Sequence, residues 1–171
     1  DLPEAKSRRT KMETLADWLR PFPSQTDTNA LNSRFVEGTR NWIFDDIEMW
    51  RANKGSSRGR ALVAGPGFGK TTIITRIIAT RSEHVLASHL CRYGHADERA
   101  PRRIIASLAY QIAGKVPAFA DELERVRQAA DPSQDATTIG GNVLSSVEYI
   151  TSFNFSPPVV SSRSFLTLTQ V

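Results

Sequence analysis

Residues 64–71 read Ala-Gly-Pro-Gly-Phe-Gly-Lys-Thr. Glycines, a lysine and a hydroxyl at this spacing suit the cradling of a row of phosphates. A triphosphate is dense negative charge and needs several converging N–H donors with no side chain in the way. Gly65, Gly67 and Gly69 let the backbone curl and approach closely. An apolar run, "RALVA", comes directly before, and "TTIITRIIATR" directly after. A strand feeding a loop that opens a helix aims unpaired N–H groups and a positive dipole end at the ligand. On this reading Ala64, Gly65, Pro66, Gly67, Phe68 and Gly69 form the cradle. Lys70 reaches the β- and γ-phosphates, Thr71 sets its hydroxyl on Mg²⁺, and Thr72 lies by the α-phosphate. The implied cofactor is Mg²⁺ with ATP or GTP. Ala64 stands where the strict pattern has glycine, and it adds only a methyl group. A chance match in a chain of this length is on the order of one per cent at ordinary residue frequencies. A ligand-free glycine turn is therefore the weaker reading.

The elements that must position this loop are legible as runs. A helix is expected from Thr10, with Glu13 completing a capping box and Met12, Leu15, Ala16 and Leu19 forming one apolar stripe. Pro21 and Pro23 stop it. A second helix is expected over Thr39 to Arg51, with Ile43, Ile47 and Trp50 on one face and Trp42 and Phe44 as further core packing. "RALVA" is expected as a buried strand. The helix after the loop presents Ile73, Ile74, Ile77 and Ile78. "HVLASHL" reads as another strand, and "PRRIIASLAYQIAGK" as a helix with Pro101 near its start. After Pro117 a short helix carries Phe119, Leu123 and Val126. Beyond Asp131 the chain becomes rich in serine and threonine and loses periodicity. "SFLTLTQV" alternates like a strand with no evident partner.

Three segments together, "GTRNWIFDDIEMW", "AGPGFGKTT" and "HLCRYGHADERAPRRIIASLAYQIA", resemble the N-terminal part of NACHT-type NTPases of the STAND class. They are similar in particular to nephrocystin-like modules. The matching features are Trp42 and Trp50 before the loop, His89 and Cys91 after it, and the helix from Pro101 to Ile112. The resemblance covers Lys11 to Arg127. It implies an α/β phosphate-loop NTPase fold, a three-layer parallel sheet that is incomplete here and preceded by N-terminal helices. It implies a nucleotide-governed signalling switch, with protein partners and repeats downstream. The resulting division is 1–38, N-terminal helix and linker; 39–130, partial NTPase domain; and 131–171, Ser/Thr-rich tail. One departure stands out. The family's second acidic strand, an apolar run ending in Asp, has no convincing counterpart after Arg127. Val147-Glu148 is the nearest, and two serines precede it. Binding is expected to survive this loss and hydrolysis is not. A half-built sheet is also expected to expose strand edges.

Weaker signals have blander explanations. His84, His89, Cys91 and His95 fall close together, but their spacing is no recognised zinc pattern. Cys91 as a nucleophile needs a positioned base and an orienting group, which the sequence does not supply. Arg40 either reaches toward the nucleotide base or is a surface residue at a helix start, the second being favoured. Arg99, Arg102 and Arg103 read as a solvated helix end rather than phosphate sensors.

The chain has 171 residues, enough for one ordinary domain, and a net charge of +4. That excess is too small, and too poorly interleaved with aromatics, to read as a nucleic-acid surface. The single cysteine forms no internal disulfide, which suits a reducing compartment. No apolar run approaches the roughly 20 residues that span a bilayer. A cytoplasmic protein is expected, with residues upstream of Asp1. Two competing functions remain at this point: an interaction module with no nucleotide role, and a small phosphate-loop kinase.

Overall fold

The structure is a computed structural model that describes residues 2–22, 30, 32–52, 61–91, 100–129 and 165–170. In chain order the elements are α1 (Leu2–Leu19), α2 (Asn41–Ala52), α3 (Lys70–Thr80), β1 (Val85–Cys91), α4 (Pro101–Lys115), α5 (Pro117–Ala129) and β2 (Phe165–Gln170). No described helix is long and apolar enough to cross a membrane.

Helix α1 begins well before the expected cap. Thr10 lies mid-helix, and its hydroxyl donates to the Lys6 carbonyl at 3.1 Å instead of capping. The preceding "KSRRTK" contains no breaker, so the helix runs through it, and the hydroxyl is satisfied one turn back. At the other end Arg20 adopts φ 49° and its N–H bonds the Ala16 carbonyl at 2.9 Å, a left-handed stop just before Pro21.

The larger core joins α1, α4 and α5. Leu15, Leu19, Phe119 and Leu123 are buried against Ala106, Ala109 and Ala113 of α4. Those alanines recur at helical spacing, and their small side chains let two helices approach one wall. Val116 alone separates α4 from α5. Pro117 then starts α5 at the position where a missing N–H costs nothing. The second core is smaller: Ile43 of α2 meets Ile73 and Ile77 of α3, with Phe44, Ile47, Leu62 and Ile74 packed around them.

The two strands pair in parallel, with Ser88 opposite Thr167 and Leu90 opposite Thr169. The segment "FLTLTQ" therefore has a partner, β1, that its sequence gives no hint of. Val85, Ala87 and Leu90 are buried. Helix α4 grips β1 through one amide side chain. Gln111 Nε2 donates to the Ser88 carbonyl at 2.9 Å, and the Ser88 N–H donates back to Gln111 Oε1 at 3.1 Å. The Lys115 ammonium bonds the Val85 carbonyl at 2.5 Å.

The expected three-layer parallel sheet is not what the chain builds. Among the described residues the fold is mostly helical, and its strands form a single two-stranded ladder. "RALVA" is not a strand: residues 61–65 carry no ladder, and Val63 is 88% exposed. One edge of β1 is covered at Ser88. A residue's N–H and C=O point to the same side of a strand, and at Ser88 both are taken by Gln111. On its other side β1 pairs with β2, and, among the described residues, 61–65 pair with neither strand. Trp42 is also not core, at 62% exposure, whereas Trp50 is buried.

Two consequences are measurable. Replacing Gln111 by Leu strips both Ser88 backbone groups of their partner and should cost about 1–3 kcal/mol in denaturant titration. On α5, the Arg127 guanidinium holds the Glu124 carboxylate from both oxygens, at 2.6 and 2.8 Å. That hydrogen bonding lowers the Glu124 pKa from the ordinary 4.5 to about 2. A lowered folded-state pKa means stability that is present above the unfolded value and lost as pH falls. Glu124→Gln should therefore lower stability at pH 7 and flatten the loss seen in acid titration from 4.5 down toward 2.

Candidate functional site

The chain reaches the glycine loop from residues 61–65, turns at Pro66-Gly67 and enters α3 at Lys70. Gly67 has φ 78° and Gly69 has φ 79°, the left-handed region where only glycine sits without strain. Gly69 is the N-cap of α3 and makes no side-chain cap. The first intrahelical donor is the Ile73 N–H, which bonds the Gly69 carbonyl at 3.0 Å. The N–H groups of Gly69, Lys70, Thr71 and Thr72 therefore precede the helical ladder, as orphan donors of a helix start.

Lys70 folds back across this turn. Its ammonium donates to the carbonyls of Ala64 and Gly65, both at 2.8 Å. Among the described residues these are its partners, and no carboxylate neutralises it. Phe68 turns its ring over Gly65: a Cβ there would meet Phe68 Cε2 at 3.2 Å, so the absence of a side chain makes the contact possible. The rest of the Phe68 ring is in solvent, at 69% exposure.

Thr71 and Thr72 lie in the first turn of α3, half-buried. Their carbonyls accept from the hydroxyl of Thr75, at 3.0 and 3.1 Å. Thr75 is fully buried. It tightens the turn that presents the loop, a role the sequence reading missed because Thr75 interrupts the isoleucine pattern. Ile73 and Ile77 anchor the same helix below, so the loop sits on a packed element rather than on a free connection.

The segment before α2 closes on the loop from the side. Arg40 has φ 59°, and its Nη2 lies 3.1 Å from where a Cβ on Gly69 would sit. Two cationic side chains, Arg40 and Lys70, thus border the helix start. Arg76 of α3 pairs with Glu37 and stands over the Phe35 ring at 5.1 Å. Phe35 in turn meets Phe44 edge-on, with centroids 5.9 Å apart. Arg81 bonds Glu48 at 3.0 Å and ties the far end of α3 to α2. The contacts of Arg76 and Arg81, each with residues distant in sequence, hold 35–48 against the loop helix.

The other candidates fall elsewhere. Arg103 stands over the Phe22 ring at 4.8 Å, and Arg102 is exposed at the start of α4. His89 is buried on β1, and His84 lies 3.3 Å from Glu83. Among the described residues no group of three or more His, Cys, Asp or Glu is placed to hold a metal ion. His95, Arg99, Val147 and Glu148 lie outside the described residues.

Gly67 isolates the cost of the left-handed turn. Nothing lies within 4 Å of a Cβ added there. Gly67→Ala should therefore destabilise by about 1 kcal/mol through backbone strain alone, read as a shift of the urea midpoint at unchanged slope.

In comparisons with known proteins, a family model described as Nephrocystin 3, N-terminal matches residues 38–155. No curated protein and no solved structure matches.

Proposed function

The chain belongs to the Nephrocystin 3 N-terminal family, and from that premise we propose that residues 64–72 bind a nucleoside triphosphate, ATP or GTP, as part of a NACHT- or STAND-like signalling switch. The observation that carries the reading is the start of α3. Two left-handed glycines, Gly67 and Gly69, lead into a helix whose first N–H groups stand outside the ladder, with the Lys70 ammonium across the turn. Such a terminus favours a polyanion through its donors and its dipole together. Lys70 would exchange two carbonyl oxygens for phosphate oxygens, trading neutral acceptors for charged ones.

The residues present fit Mg²⁺ only as a companion of the phosphates. Thr71 offers one hydroxyl in the first turn, and neither that hydroxyl nor the Thr72 hydroxyl has a hydrogen bond among the described residues. Mg²⁺ keeps several waters and takes further ligands from phosphate, so the Thr71 hydroxyl would be one ligand among these. Bound there, the ion would offset the charge of the phosphate oxygens. Gly65, Pro66 and Phe68 shape the loop, Ala64 and Gly65 park the lysine, and Arg40 adds a second cation beside Gly69. Hydrolysis is outside the proposal, since residues 128–171 hold no apolar run ending in Asp that would position metal and water.

The test is a thermal shift. A ligand at a hundred times its Kd stabilises the folded state by about 2.7 kcal/mol, which is several degrees in Tm for a domain of this size. Mg·ATP or Mg·GTP should produce that rise, and Lys70→Ala should remove it while leaving the ligand-free Tm close to that of the parent. An equal rise in the mutant, or no retention of either nucleotide by folded protein, overturns the reading.

A further inference from the structure

Helix α2 has two unlike faces. Ile43 and Trp50 are buried, at 5% and 8% exposure, and Ile47 packs beside Ile43. A second face, about 120° around the helix, carries Trp42 and Met49, which are 62% and 64% exposed. These two stand about two helical turns apart, so they share one line along the axis. At about 100° per residue, Asp45 falls on one side of that line and Asp46 on the other. Each carboxylate is one turn from both apolar side chains. Neither has an ion pair or hydrogen bond among the described residues. Glu48 of the same helix, by contrast, is held by Arg81 at 3.0 Å.

A single exposed apolar residue is ordinary. A tryptophan and a methionine in line are different, because they combine a large rigid ring with an adaptable thioether side chain. The flanking charges decide what fits. Two carboxylates repel an anionic surface and attract a cationic one. A second copy docked by two-fold symmetry would set the same acidic edge against itself, since such an interface uses one patch twice. An amphipathic helix with lysine or arginine beside an aliphatic stripe satisfies both the apolar line and its borders.

We propose that the outer face of α2 is a docking ridge for a basic amphipathic helix of a protein partner. Trp42 and Met49 enter its aliphatic stripe, and Asp45 and Asp46 pair with cations on either side. This site is separate from the glycine loop and does not depend on nucleotide.

The full 171-residue chain is titrated into a labelled, amidated peptide of leucine and lysine at helical spacing, about 14 residues long, with fluorescence anisotropy as readout. A peptide with glutamate in place of lysine is the control. Saturable binding of the lysine peptide alone is expected. Trp42→Ala should weaken it by about ten-fold or more, as loss of a central aromatic anchor does. Met49→Ala should weaken it less, and circular dichroism should show both variants folded, since both side chains are exposed. The double change Asp45→Asn and Asp46→Asn should weaken binding and flatten its dependence on salt. Equal binding of the glutamate peptide, unchanged affinity in Trp42→Ala, or a Trp42-dependent dimer that excludes the peptide each overturns the proposal.

Discussion

The contact between α4 and β1 organises the molecule. One amide, Gln111, satisfies both backbone groups of Ser88, and Lys115 takes the Val85 carbonyl a little farther along. A two-stranded parallel ladder has little stability of its own in water. Here a helix is bonded to the strand, and the opposite side of that helix is the alanine wall on which α1 and α5 pack. Burial of Leu15, Phe119 and Leu123 therefore fixes α4, and α4 fixes β1. The same bonds blunt a strand edge that would otherwise be open to pairing. The exposed edge expected of a half-built sheet is, at Ser88, a covered one.

The glycine loop is held by a second, smaller arrangement. Helix α3 rests on Ile43 through Ile73 and Ile77, and Thr75 stitches its first turn from beneath. The chain before α2 is lashed to α3 by the Glu37–Arg76 pair and by the stacking of Arg76 on Phe35. This sets Arg40 against Gly69. A loop whose dihedrals demand glycine at two points thus sits on a helix braced at both ends. For the triphosphate site we propose, donors held in place beforehand spare the entropy that ordering a flexible loop would cost.

Much of this was readable as one-dimensional pattern. Five runs of apolar residues at helical or alternating spacing became α2, α3, β1, α4 and α5, within a few residues of their expected ends. Local signals sufficed there because the stripe, Pro101 and Pro117 act through neighbours in the chain. The loop was readable for the same reason: glycine spacing dictates where a left-handed turn is affordable. The errors came where a local signal competed with something remote. Thr10 carries the chemistry of a cap but sits inside a longer helix. "RALVA" has the composition of a buried strand but pairs with neither β1 nor β2, and Trp42 is large and apolar but lies on the outer face of α2.

By itself, then, the amino-acid order determined the helical stripes, the glycine turn with its lysine, and membership of the Nephrocystin 3 N-terminal family over residues 38–155. These depend on spacing within a few turns of chain, where geometry follows from residue type. Only the tertiary structure decided that β1 pairs with a strand more than seventy positions downstream, that Gln111 rather than another strand covers Ser88, and that Arg40 comes to rest beside Gly69. Such contacts depend on which surfaces remain after the cores have closed. Polar groups take whichever partner burial leaves within reach, and that is a property of the assembled whole.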